Sequence, residues 1–321
     1  MQKDKISVIM SFYNETEEEI IKSINSILKQ TYKNWELILI CDNPKEKHKY
    51  NKLTMLYEKE KKINIIMNKR NIGLAMSMNK AVKLSSGNIL ARMDADDICM
   101  ETRLEEQINY LKDNDFDLVA TEFIYIDEED NVLNKSHQVY SNENIRKYLP
   151  YTNTIHHPTV MMKKEIFWQV GGYREFPCAQ DYDLWLRLFE KDISIGMLQK
   201  PLIKYRIRLN SITQKNKLKQ LLTLWYIRKC FYKRKKNGLD EFSIENYEKF
   251  LKKQGFFEEK YIASFNKAKN IKDKIDNYRG KKNKKYTRLL MMIYLFFINK
   301  FYRKEYFQIM KNKILIWSEK K

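Results

Sequence analysis

Four short apolar runs, Ile6 to Met10, Leu37 to Cys41, Ile63 to Met67 and Asn88 to Met93, punctuate the first hundred residues, and the segments between them are helical in pattern. That alternation constrains the chain more than any other feature. A short apolar run bounded by polar loops is a buried strand, and an amphipathic helix between two such strands makes a βαβ crossover. The first helix opens on a capping box, Thr16-x-x-Glu19, followed by Ile20, Ile21, Ile24, Ile27 and Leu28. The third crossover repeats the spacing with Leu74, Ala75, Met78, Ala81 and Val82. The pattern predicts an α/β fold, a parallel sheet with helices on both faces.

Beyond Leu118 to Ile126 the alternation becomes irregular. It predicts a hairpin through Asn131, a helix near Asn142 to Tyr148, and strands near Thr159 to Met162 and Ile193 to Met197. From about Thr213 the pattern is helical, rich in Lys and Tyr and free of Pro. The expected organisation is one domain over 1–212, with a first half over about 1–100 and a second half over about 101–212. A basic helical region over 213–321 follows, as a membrane-association or oligomerisation element.

Charge follows the same division. Of 61 Lys+Arg and 41 Asp+Glu, residues 1–216 hold 32 and 31, whereas residues 217–321 hold 29 and 10. A near-neutral body with a basic tail is not the pattern of a uniformly basic nucleic-acid binder. The four cysteines form no CxxC or Cys/His cluster, so neither a zinc site nor a disulfide framework is expected. The apolar run after Met-Gln-Lys-Asp-Lys is too short for a signal-peptide core, which predicts a cytoplasmic protein.

In an open α/β sheet, ligands bind beyond the carboxyl ends of the strands. The first strand exits into Ser11-Phe12-Tyr13-Asn14-Glu15, an aromatic face with amide groups suited to a flat base, and the second exits at Asp42, whose carboxylate can accept from a base N–H. The fourth exits into Asp94-Ala95-Asp96-Asp97. Clustered carboxylates repel one another unless a cation neutralises them, so the cluster predicts Mg²⁺ or Mn²⁺ sharing its shell with substrate phosphates. In an extended loop Asp94 and Asp96 project to the same side. The cluster also reads as a solvated acidic turn capping a helix at Glu101. Arg70, just before Asn71-Ile72-Gly73, is placed to face a diphosphate, or belongs to ordinary helix-start chemistry.

A second carboxylate site lies in Gln180-Asp181-Tyr182-Asp183-Leu184-Trp185-Leu186-Arg187, a largely apolar and therefore buried helix. Asp183 and Arg187 stand four apart and can pair. Asp181 is left unpaired, as a base or as a charge complementing the helix dipole.

Together these segments resemble the bacterial family 2 glycosyltransferases, enzymes of GT-A fold that build capsule, lipooligosaccharide and related surface glycans. The resemblance covers roughly residues 5 to 212. It rests on Val8 to Asn14, Ser26 to Tyr32, Asn71 to Ala75, Ala91 to Asp97, His157 to Met162 and Asp181 to Arg187, six motifs in family order. It implies an inverting transfer of a hexose or N-acetylhexosamine from a UDP-sugar to a hydroxyl of a glycan or lipid-linked acceptor. Phe12, Asn14, Asp42, Arg70 and Asp94 would contact the nucleotide-sugar, Asp96 with Asp94 would hold Mn²⁺ or Mg²⁺, and Asp181 would be the base. Trp185, His157 and Arg208 would line the acceptor or sugar pocket, with Trp185 equally able to fill the core. The chain departs from the family pattern at Gln180, where an acidic residue is usual, at Asn43-Pro44 after Asp42, and at Arg208, where a histidine is usual.

The tail contains Leu289 to Ile298, ten apolar residues flanked by cations, too few to span a bilayer. Such a helix can lie in the headgroups of an anionic membrane, which would make the protein peripheral on the inner face of the cytoplasmic membrane, or serve as the core of a small helical domain. A nucleotidyltransferase that makes nucleotide-sugars and a basic nucleic-acid-binding protein are the rival readings. The first lacks a Gly-rich basic loop after the first strand, and the second lacks a recognisable motif.

Overall fold

A computed structural model describes residues 4–135, 142–207, 217–277 and 284–307. The chain divides into two compact units, Met1–Lys215 and Asn216–Lys321. The first is built on nine strands: β1 (Ile6–Phe12), β2 (Trp35–Cys41), β3 (Ile63–Met67), β4 (Ile89–Arg92), β5 (Ile98–Cys99), β6 (Leu118–Ile126), β7 (Val132–Lys135), β8 (Met161–Lys163) and β9 (Ile195–Arg206). Its helices are α1 (Glu17–Leu28), α2 (Lys47–Leu56), α3 (Leu74–Leu84), α4 (Arg103–Asp113), α5 (Asn142–Tyr148), α6 (Lys164–Gln169) and α7 (Gln180–Phe189).

The strands form one sheet in the order β3-β2-β1-β4-β8-β6-β9-β5, with β7 on β6. The first four pair in parallel, as the βαβ pattern requires. The sheet turns mixed where the alternation of the sequence breaks down: β8 is antiparallel to both β4 and β6, and β6 pairs in parallel with β9.

Local chemistry explains the helices. Thr16 Oγ1 accepts from the Glu19 amide while Glu19 reaches back to the Thr16 N–H at 2.8 Å, a complete capping box. Ile20, Ile24 and Ile27 then recur on one buried face, each contributing about 1.5–3 kcal/mol on burial. Gly73 begins α3 at φ 81°, where a side chain would be strained. Along β1, Ile6, Val8, Met10 and Phe12 share one core face, the strict alternation of a strand.

The second unit contains α8 (Lys217–Asn237), α9 (Ile244–Lys253), α10 (Glu259–Asn277) and α11 (Lys285–Ile298), with further helix over 300–307. Ser243 caps α9 by accepting from the Asn246 amide at 3.0 Å. Aromatic rings dominate its core. Trp225 stacks on Phe301 with centroids 6.0 Å apart, and Phe265 stacks on Tyr302 at 5.6 Å.

Candidate active site

The acidic segment leaves β4 as a turn, closed by the Asp97 amide on the Asp94 carbonyl at 3.4 Å, and is not the extended loop anticipated from the sequence. A residue that carries two acidic neighbours gains from the turn, because the backbone can be bonded while the carboxylates remain separate. The turn does not cap a helix: β5 follows it, and α4 begins only at Arg103. Asp94 and Asp96 are half-buried, and Asp94 is ion-paired with Arg92. Asp97 is 1% exposed; its Oδ1 accepts from the Arg206 backbone N–H at 2.9 Å, while its Oδ2 has no hydrogen-bond partner. Burial, together with the charges of Asp94 and Asp96, pushes the Asp97 carboxyl well above the ordinary carboxylate range.

Arg206, at the end of β9, holds this turn. Its Nε donates to the Asp96 carbonyl at 2.9 Å, Nη1 to the Asp127 carbonyl at 2.7 Å, and Nη2 to the Asp130 carboxylate. The acidic turn and the β6–β7 hairpin are thereby joined through one buried guanidinium. Arg103 does similar work from α4: its Nη2 donates to the carbonyls of Arg92 and Pro158, both at 2.8 Å. The His157-Pro158-Thr159 turn is thus fastened against the end of β4.

On the donor side, the structure corrects one assignment. Phe12 is 1% exposed and packs in the core, so its ring cannot stack on a base. The next ring, Tyr13, is 37% exposed, and Asn14 beside it is exposed as well. Glu15 Oε2 accepts from both their amides, at 2.5 and 3.0 Å, and shapes the loop. Asp42 is buried, and its Oδ1 accepts from Asn68 Nδ2 at 2.8 Å and from the Ile72 amide at 2.9 Å. It therefore organises the loop that carries the exposed Arg70. Asn43, the departure from the family pattern, ties this region to the β1 exit by donating to the Tyr13 carbonyl at 3.1 Å.

The second carboxylate site begins at Ala179, held in the left-handed region at φ 56°. Asp181 follows in the first turn of α7, half-buried, accepting from Asn153 Nδ2 at 2.8 Å. No cationic side chain among the described residues stands within ion-pair distance of it. Burial raises its carboxyl above the usual range, opposed by the Asn153 hydrogen bond and the Arg92 charge. Asp183 does pair with Arg187 at 2.9 Å, and Arg174 joins them through Nε at 2.8 Å.

Of the pocket candidates, Trp185 takes the core position that its spacing had left open to it. Trp185 is fully buried and His157 is 8% exposed. Their rings meet edge-on at 6.1 Å, and His157 Nε2 is hydrogen-bonded to the Tyr173 hydroxyl at 2.6 Å, so both residues support the site from within the core. Burial pushes the His157 imidazole well below its ordinary value, which keeps it neutral. Arg208 lies outside the described residues.

The sequence reading singled out no role for Arg92. It is 4% exposed, with Nε and Nη1 lacking partners, and its charge acts on Asp94, Asp97, Tyr173 and Asp181 alike. One buried cation thus connects the acidic turn with the isolated carboxylate. A cluster of rings also escaped notice: Tyr125, His156 and Tyr205 surround Phe123 at centroid distances of 4.8, 4.4 and 5.5 Å. The charges of Asp94, Asp97 and Asp96 all act on Tyr205, which places this cluster beside the acidic turn.

A parallel first half-sheet, a mixed second half and carboxylates at the strand ends make up a GT-A-like architecture. The chain belongs to glycosyl transferase family 2, whose model matches residues 7–171. It is 35% identical over 239 residues to an uncharacterised glycosyltransferase of Methanocaldococcus jannaschii, covering 74% of this chain and 82% of that protein. It is 36% identical over 219 residues to the O-antigen biosynthesis glycosyltransferase WbnJ of Escherichia coli, covering 67% and 84%. The fold is similar to that of S. aureus TarS, solved in complex with UDP-GlcNAc, with a TM-score of 0.56 at 15% identity, covering 77% of this chain and 70% of that one.

Proposed function

We propose that the protein transfers a hexose or N-acetylhexosamine from a UDP-sugar to a hydroxyl of a glycan or lipid-linked acceptor in surface polysaccharide synthesis, with inversion at the anomeric carbon. The observation that carries this reading is Asp181: a half-buried carboxylate with an amide partner but no cation, electrostatically linked through Arg92 to the acidic turn. The UDP and UDP-GlcNAc complexes of TarS and the O-antigen role in the name of WbnJ support the donor and product classes.

A sugar hydroxyl is a weak nucleophile, so a base must take its proton as the oxygen attacks. Asp181 accepts that proton; the new bond forms between the acceptor oxygen and the anomeric carbon, and the bond to the diphosphate oxygen breaks on the opposite face, releasing UDP. The raised position of the Asp181 carboxyl makes it a stronger base than an exposed aspartate. On the donor side, Tyr13 offers the ring for the base and Asn14 and Asp42 shape its loop. Arg70 faces the diphosphate. The rings of Tyr125, His156 and Tyr205 offer an apolar wall for a pyranose.

The crowded carboxylates and the orphaned Asp97 Oδ2 suit a hard divalent cation, which Asp94 and Asp96 would hold. Bound there, Mn²⁺ or Mg²⁺ would offset the charge developing on the departing diphosphate. The purified protein should release UDP from a UDP-sugar only with Mn²⁺ or Mg²⁺ present. Asp96→Ala should abolish the metal dependence together with activity, and Asp181→Asn should lower kcat by about 10²–10⁴ with donor binding retained. Failure to bind any UDP-sugar would refute the proposal.

A further inference from the structure

Helix α11 is apolar on both faces, and only one of them is covered. Leu295 and, just beyond the helix, Asn299 are buried, and the Asn299 side chain donates to the Ser264 carbonyl on α10 at 3.2 Å, so one face is docked within the second unit. The opposite face carries Tyr286 at 79% exposure, Leu290 at 67% and Phe297 at 69%, with Leu289, Ile293, Tyr294 and Ile298 also exposed. Positions 286, 289/290, 293/294 and 297 recur at three- and four-residue steps, so they form one stripe along the helix. Among the described residues nothing covers it. No charged residue interrupts 289–298. A helix apolar all round belongs in a core or against an apolar partner, so this stripe is an interface.

Its charge setting identifies the partner. Lys281, Lys282, Lys284 and Lys285 precede the stripe in sequence, and Lys300, Arg303 and Lys304 follow it, Lys300 donating to the Gln254 carbonyl at 3.0 Å and Lys304 lying over the Trp225 ring at 4.0 Å. Arg303 is exposed and stays at the end of the helix, donating through Nε to the Phe296 carbonyl at 3.1 Å and through Nη2 to the Phe297 carbonyl at 3.0 Å. Residues 217–321 hold 29 Lys+Arg against 10 Asp+Glu. Two copies meeting through this stripe would bring two such basic ends together. An anionic lipid surface instead complements both features, taking the apolar side chains among its acyl chains and the cations among its phosphates. The fourteen-residue helix is about 21 Å long, short of the roughly 30 Å of a bilayer core. No helix among the described residues is long and apolar enough to cross a membrane. We infer that α11 lies in the plane of an anionic membrane, with the Tyr286–Leu290–Ile293–Phe297 stripe inserted and the exposed cations at its two ends, Lys284 and Arg303, facing lipid phosphates.

The full chain should sediment with vesicles of phosphatidylglycerol and phosphatidylcholine in equal parts, and about tenfold less with phosphatidylcholine alone or in 0.5 M salt. The double substitution Leu290→Glu with Phe297→Glu, at exposed positions, should reduce sedimentation by about tenfold or more while the circular dichroism spectrum and UDP release from the donor stay unchanged. That unchanged activity separates this inference from the glycosyltransferase reading. Wild-type protein remaining in the supernatant with anionic vesicles would overturn it, as would a stable dimer in solution that the double substitution converts to monomer.

Discussion

At the scale of single residues, the site depends on where a charge is left without its opposite. Asp181 was legible because the residue four positions on is Trp185, which offers no charge, whereas Asp183 faces Arg187. Strand length and register could have separated Phe12 from Tyr13: Phe12 is in register with Ile6, Val8 and Met10 on a core face, and Tyr13 lies just past the end of β1. Arg92 carried no such signal, since its role comes from residues distant in sequence. Because its positive charge lowers the Asp181 carboxyl, Arg92→Gln should raise the pKa of the base. The acid limb of the kcat/KM profile then moves to higher pH, whereas a purely structural loss would lower the whole profile without displacing the limb.

At the scale of elements, α7 is held by an ionic group centred on Asp183. Asp183 is fully buried and receives Arg174 and Arg187, and Arg187 also donates to the carbonyls of Val170 and Gly172. The i, i+4 half of this group was readable from spacing, but Arg174 was not, because it approaches from outside the helix. Removing the shared carboxylate takes away the buried acceptor to which both Arg174 and Arg187 donate. Asp183→Asn should therefore destabilise the protein by about 3 kcal/mol, measurable as a lower urea midpoint, and should misplace Asp181 as well. The acidic turn shows a similar limit. Its position after β4 followed from the βαβ pattern, while its closed shape depends on Arg206, which lies more than a hundred residues further along the chain.

At the scale of the whole molecule, acid stability follows from the starts of β1 and β2, where Glu36 meets Lys5, Ser7 and Ser86. Burial alone would raise the Glu36 carboxyl, but hydrogen bonds from Ser7, Ser86 and Lys5 bring it from 4.5 down to about 2. A carboxyl lowered on folding stabilises the native state above its unfolded pKa, and the contribution disappears as pH falls from about 4.5 through about 2. Glu36→Gln should cost about 2 kcal/mol at pH 7, with the gap between variant and wild type closing in denaturant titrations repeated towards pH 2. What the sequence by itself determined is the part governed by short-range periodicity: the parallel half-sheet, the capped first helix, the acidic strand end and the unpaired Asp181. Tertiary structure alone decided the antiparallel insertion of β8, the buried Arg92 guanidinium that links the two carboxylate sites, and which face of α11 is left bare. Those depend on contacts between residues far apart along the chain, and local spacing carries no record of them.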